Sequence, residues 1–211
     1  MKKIVIQLNQ KSIQEAKREL LYVKKVLPQI TRDFLEDVSM WLIERANLHL
    51  NNSDIGENVK IDIRNGWTYE FTTSGIKITN SATQEKKVGG VTQTIPTAVL
   101  VEFGVGVVGQ ADEHPNASAE GYEYNQDSPA KEDDGSWRFF SNEADLDIPK
   151  SAIDWGVYGK GEQNRMRIYT RGAKGVWYAY NAIVDANVEL AKSNGGEIGE
   201  LWEKAKARYI K

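Results

Sequence analysis

The residues best suited to chemistry lie in two short stretches. In PTAVLVEFGVG, Pro96 to Gly106, one carboxylate, Glu102, stands between Val101 and Phe103 ahead of alternating glycines; further on, Asp112, Glu113 and His114 are consecutive. A lone acid in an apolar run is a catalytic group, a ligand or a structural fixture. Half buried and ionised, it must be given a donor, and backbone N–H groups or an arginine such as Arg171 or Arg45 would serve. The expectation is a structural clamp tying Val101-Glu102-Phe103-Gly104 to the RIYTRG segment. Three consecutive residues cannot converge on one metal without a contorted loop, so Asp112 to His114 read as a solvated loop. The other histidine, His49, ends a predicted helix, where an imidazole caps carbonyls.

The remaining motifs are weaker. Glu132, Asp133 and Asp134 lack the alternating ligands and closing glutamate of a calcium loop and read as a solvated turn. The glycines at 104, 106 and 109 precede a polar loop rather than a helix, and no GxSxG, HExxH or GxxxxGK[ST] occurs. Lys204, Lys206, Arg208 and Lys211 alternate with Glu200 and Glu203 as on the wet face of an amphipathic helix, which disfavours direct DNA contact. No catalytic, cofactor-binding or metal-ligating residue is assigned.

With 211 residues, 40% hydrophobic content, six Trp and nine Tyr, the chain can build a substantial core. Its 27 basic and 30 acidic residues give a net charge of -3, against a protein that coats phosphate backbones through its overall field. The absence of cysteine removes disulfides, thiolate zinc sites and cysteine nucleophiles. Residues 1–10 are too short in apolar content for a signal peptide, and no 18-residue apolar run occurs, so the expectation is a soluble protein kept in a reducing compartment or delivered by a route other than secretion.

The elements that must position these residues follow from periodicity. Ile4, Ile6 and Leu8 alternate as an opening strand. Ser12 and Glu15 have capping-box spacing before a first helix ending near Pro28, and Ile30, Phe34, Val38, Trp41, Leu42, Arg45 and Leu48 mark a second to about Asn51. Val59, Ile61 and Ile63, an Asn65-Gly66 turn, Trp67, Tyr69 and Phe71, a Ser74-Gly75 turn, then Ile76 and Ile78 predict a three-stranded meander. Residues 82–95 read as a mobile loop. Residues 107–164 read as a loop-rich insertion whose aromatics, Tyr122, Tyr124, Trp137, Phe139 and Phe140, pack somewhere. Arg165 to Gly172 is a return strand; Trp177, Tyr180, Val184, Val188 and Ala191, then Ile198, Leu201, Trp202, Ala205 and Tyr209, mark two last helices separated by SNGGE. The expected fold is α+β, one domain over 1–211: an antiparallel sheet, meander plus terminal strands, covered by N-terminal and C-terminal helix pairs.

This order, with Val101, Glu102, Phe103 and Gly104 and, later, Thr170, Arg171, Gly172, Trp177, Tyr180, Asn181 and Ala182, resembles the HK97 gp10-like family of tailed-phage neck and tail proteins. The insertion resembles that of longer members from phages of Gram-positive hosts. The resemblance implies a non-catalytic tail-completion or head-tail joining protein, made in the bacterial cytoplasm and carried in the virion. It further implies a homo-oligomeric ring with other neck or tail proteins as partners, and no cofactor or membrane. Two alternatives predict different geometry. A cell-wall hydrolase using Glu102 or Glu113 needs a cleft with carboxylates roughly 5–9 Å apart. A carbohydrate-binding module needs coplanar exposed rings around Tyr122, Tyr124 and Trp137.

Overall fold

The structure is a computed structural model that describes residues 10–88, 91–124, 137–141, 153–160 and 166–210. The expected opening strand, the acidic run at 132–134 and Lys211 lie outside the described residues, as do the side chains of Trp137, Phe139, Phe140 and Arg171. The chain is a mixed helix and sheet protein, with seven α-helices and antiparallel sheets among the described residues.

In place of the expected helix pair, Gln10–Asn51 is one 42-residue helix, α1, with Pro28 inside it. Proline removes the hydrogen bond to the Lys24 carbonyl. Both residues are exposed, so water reaches that carbonyl. The C-terminal end of the chain splints the position. Tyr22 donates to the Tyr209 carbonyl at 2.8 Å on one side of Pro28. On the other, Asp33 accepts from the Tyr209 hydroxyl at 2.9 Å and from Arg208 at 3.2 Å.

The first strand of the expected meander is also a helix, α2, Glu57–Asn65. Val59, Ile61 and Ile63 alternate as a strand would, but Ile63 is fully buried and Ile61 is exposed, the split a helical turn produces. Lys60 decides the matter, because its buried ammonium donates to the carbonyls of Asn51 (3.0 Å) and Ser53 (2.6 Å) and so closes the end of α1. Arg64 adds bonds to Asn51 Oδ1 at 2.9 Å and Glu57 at 2.5 Å. Gly66 is the C-cap of α2 rather than half of a hairpin turn, and a Cβ there would come within 2.6 Å of Asn80 Oδ1.

The second hairpin forms as expected. Strands β1 (Trp67–Phe71) and β2 (Ile76–Asn80) pair antiparallel from Trp67↔Asn80 to Phe71↔Ile76. The segment read as a mobile loop is a second ribbon, β3 (Gln84–Val88) with β4 (Val91–Ile95), in register from Gln84↔Ile95 to Val88↔Val91. Helix α3 (Thr97–Phe103), the two-residue strand β5 (Gly104–Val105) and helices α4 (Gly106–Ala111) and α5 (Ala117–Glu120) follow.

The region expected to be a loop-rich insertion contributes strands β6 (Trp137–Ser141) and β7 (Ile153–Lys160) to the return strand β8 (Met166–Lys174). Thr170 pairs with both Trp137 and Trp155, and Ala173 with both Val105 and Ile153, so β8 is central, with β7 on one edge and β6 then β5 on the other. Helices α6 (Tyr178–Ala191) and α7 (Gly196–Ala207) complete the chain across a 3₁₀ turn at Ser193–Gly195.

The main core joins α1, α2, α3 and α6 through Ala46, Leu50, Ile63, Ala98, Tyr178 and Ala182, with Val101 and Trp67 against it. Its many alanines let the helices approach closely. A second layer joins α1 to α7, with Phe34 edge-on to Trp202 at 5.4 Å and Ile30 and Trp41 buried.

Candidate functional site

Glu102 lies in the last turn of α3 and is 8% exposed. The next helix but two, α6, begins without a capping side chain: its N-cap is Trp177, in the left-handed region at φ 55°, ψ 35°. The orphan N–H groups of its first turn are met from far along the chain. Glu102 Oε2 accepts the Ala179 N–H and Oε1 the Tyr180 N–H, each at 2.9 Å. A carboxylate at a helix N-terminus is favoured by these donors and by the helix dipole. The main chain locks the same crossing, with Val176 N–H donating to the Val101 carbonyl at 2.8 Å and Trp177 N–H to that of Glu102 at 3.2 Å.

The third donor to Glu102 is His114, at 3.1 Å from Nε2 to Oε1. The Asn116 N–H donates to His114 Nδ1 at 3.0 Å, which requires a lone pair there and places the ring proton on Nε2. His114 is 3% exposed, so the solvated loop expected at 112–114 is corrected: a tight turn through Pro115 and Asn116 folds the ring inward. The two acids beside it do face outward, Asp112 to Lys174 at 3.4 Å and Glu113 to solvent.

Aromatic rings enclose the pair. Phe103 lies 4.4 Å from the His114 ring and stacks on Tyr122 at 4.6 Å, while Trp177 and Tyr180 meet His114 edge-on at 5.7 and 5.2 Å. Tyr122 donates to the Gly104 carbonyl at 2.5 Å, and the Tyr124 oxygen accepts the His114 N–H at 2.6 Å. Burial, then the neighbouring Tyr124, pushes the Tyr122 hydroxyl up to about 12. These two rings cross at 87° with their hydroxyls turned inward, not as a coplanar exposed platform.

Glycine permits the crossing. Gly104 sits at φ 81°, and a Cβ on it would lie 2.4 Å from the Gly175 nitrogen; one on Gly175 would lie 2.5 Å from the Glu102 carbonyl oxygen. Every residue of Val101-Glu102-Phe103-Gly104 is therefore engaged: Val101 against the core, Glu102 as helix cap, Phe103 in the ring stack and Gly104 at the backbone contact. The tie to the RIYTRG strand runs through the backbone, Gly104↔Lys174 and Val105↔Ala173. Arg45 is engaged elsewhere, with Glu197 at 2.6 Å. Gly172 lies in β8 opposite Asp154.

A second buried carboxylate repeats the device. Glu189 Oε2 accepts the Glu197 N–H at 3.0 Å at the start of α7, while Oε1 pairs with Lys192. Nothing in the sequence singled out Glu189, because in a predicted helix that also carries Asp185, Asn187 and Lys192 a carboxylate reads as part of the wet face. His49, expected to cap carbonyls, pairs with Asp185 at 2.8 Å instead. Of the basic residues at the C-terminus, Arg208 ties α7 to α1 through Asp33 and Asp37 and Lys206 pairs with Glu203, so both have structural partners.

Glu102 has three donors and His114 has both ring nitrogens bonded, so the joint is a saturated hydrogen-bonded unit. Two surface hollows, of about 370 and 310 Å³, are lined by other residues: one along α1 from Ile13 to Lys24, the other by His49, Asn52–Ile55 and Lys174–Val176. Among the described residues no group of three or more His, Asp or Glu could hold a metal, and no helix is long and apolar enough to cross a membrane. No family model matches the chain, and comparison with curated proteins and with solved structures finds no match.

Proposed function

We propose that the chain is a non-catalytic assembly protein of a tailed-phage neck or tail, acting through protein–protein contacts as a tail-completion or head-tail joining component. The observation that carries this reading is the saturated joint: the residues that chemistry would need, Glu102 and His114, are committed to holding α3, the 112–116 turn and α6 together. Large apolar side chains meanwhile stand exposed on α1 and α6, as a contact surface requires. The hydrolase alternative asks Glu102 or Glu113 to exchange protons with a substrate; the donors and burial of Glu102 oppose the first, and Glu113 stands exposed on the 112–116 turn rather than in a cleft.

The test is mass in solution by native mass spectrometry, for the protein alone and mixed with the purified products of the genes flanking its own. A ring, or a stoichiometric complex with one of those products, is expected. A protein that stays monomeric in every mixture and cleaves a cell-wall glycan or peptide would overturn the reading.

A further inference from the structure

We propose that the outer face of α6 binds a second copy of this chain, the two helices packing antiparallel about a two-fold axis at Asn187. Helix α6 has its polarity inverted. At about 100° per residue, Tyr178, Ala182, Asp185 and Glu189 share the side turned to α1 and α7. The two charged residues of α6 are both there: Asp185 meets His49 of α1 at 2.8 Å, and Glu189 caps α7 and pairs with Lys192. The opposite side carries Ile183, Val184, Asn187, Val188, Leu190 and Ala191, all exposed. Ile183 (51%), Val188 (55%) and Leu190 (57%) thus stand in water where a surface helix ordinarily presents charged residues.

Two features select the occupant. The groove along α1 from Ile13 to Lys24 presents two lysines, whereas the outer face of α6 carries no charge, so a second copy laid on it meets no like charge, and a partner that docks through charge finds no counterpart. Asn187 stands in the middle of the face, exposed and with no side-chain hydrogen bond to a described residue. An apolar partner would bury that amide unpaired, which is costly. A carboxamide has both donor and acceptor, so two of them brought together on a two-fold axis satisfy each other reciprocally, and a second copy supplies the match by symmetry. One asparagine in an apolar seam also fixes its register. About that axis Ile183 and Val184 meet Leu190 and Ala191 of the second copy. Such a pair closes at two copies, so it is a contact distinct from any ring and goes beyond the assembly reading. One face of a helix about 21 Å long is small beside the roughly 800 Å² per partner of a standard interface, so pairing is weak, with a Kd of about 10–300 μM.

Sedimentation equilibrium of the full-length protein, from about 5 to 500 μM, reads the pairing. A monomer–dimer equilibrium is expected. Asn187→Asp sets two carboxylates against each other on the axis and should weaken it about tenfold or more at pH 7, and Val188→Glu should abolish it, both with helical circular dichroism unchanged. Because the chain has no cysteine, a single introduced thiol reports the geometry. Oxidised Asn187→Cys should run as a covalent dimer, while Val184→Cys, whose two copies lie about 9 Å apart along the helices, should not. A protein monomeric throughout the range, a dimer that Asn187→Asp and Val188→Glu leave intact, or Val184→Cys linking as readily as Asn187→Cys would overturn the pair. So would a flanking gene product whose complex Val188→Glu abolishes while the protein alone stays monomeric, since that product would then be the occupant. Loss of the pair leaves the assembly reading to its own complexes, and a dimer that forms none of them and cleaves a cell-wall glycan would fail that reading alone.

Discussion

The joint at Glu102 and the N-terminal half of α1 use the same residue types in opposite ways. At the joint a carboxylate and an imidazole are buried with their hydrogen bonds satisfied. Along α1, leucines and isoleucine stand in water while lysines flank them. Burying a polar group without a partner is costly, and among the described buried side-chain groups the Trp177 Nε1–H beside this joint alone lacks one; an exposed apolar stripe, by contrast, is a surface that another element can cover. Titratable groups here therefore report architecture, and apolar ones report contact.

The sharpest way to break the comparison is at the backbone crossing. Gly104→Ala must place a Cβ 2.4 Å from the Gly175 nitrogen at φ 81°, combining overlap with left-handed strain. A loss of about 4 kcal/mol or more is expected in urea unfolding; a loss under about 1 kcal/mol would mean the crossing is looser than described.

Glu102→Ala comes next. It strips the Ala179 and Tyr180 N–H groups and His114 of their acceptor inside a closed site, and about 3 kcal/mol should be lost. Glu102→Gln keeps one acceptor oxygen and should lose roughly half as much. Equal stability of both variants with the parent would remove the structural role.

Acid should loosen the helix layer by a smaller amount. Hydrogen bonds from Trp41, then Arg45, hold the Glu197 carboxyl below its ordinary range, and bonds from Lys192, then the Glu197 N–H, do the same for Glu189. A carboxyl depressed in the folded state contributes stability that is full above its unfolded value and lost as pH falls through the folded one. Melting temperature should therefore fall between about pH 5 and 3, and Glu197→Gln should flatten that fall. An unchanged pH profile in the variant would show that Glu197 does not tie α7 to α1.

Pro28→Ala tests the same helix with the opposite sign. It restores an N–H to the Lys24 carbonyl in a continuous helix and should raise stability by about 1–3 kcal/mol. A neutral or destabilising outcome would mean that α1 breaks there in solution.

Part of this was legible in the chain. The β1–β2 hairpin, the return strand and the last two helices follow from local period and turn residues, and Glu102 was marked by its polarity in an apolar run. Helix α2 was misread because Val59, Ile61 and Ile63 fit a strand, and only the reach of Lys60 to the end of α1 shows otherwise. The ribbon at 84–95 was misread because Gln84 to Lys87 and Thr92 to Thr94 are polar throughout and offer no apolar alternation to read. His114 was misread because its partners, Glu102 and the rings of Phe103, Trp177 and Tyr180, are distant in sequence. Pairing that depends on long-range closure leaves little local trace.

Leu20→Glu carries the smallest expected effect on stability and discriminates most. Leu20 is already 59% exposed, so its removal withdraws little area from contact. Leucine and glutamate differ little in helix propensity, and a glutamate at 20 stands four residues before Lys24 in the favourable orientation. The two terms offset, and the unfolding free energy should change by less than about 0.5 kcal/mol. A loss above about 1.5 kcal/mol would show that the chain itself covers this stripe, and the contrast between a closed joint and an open groove would collapse.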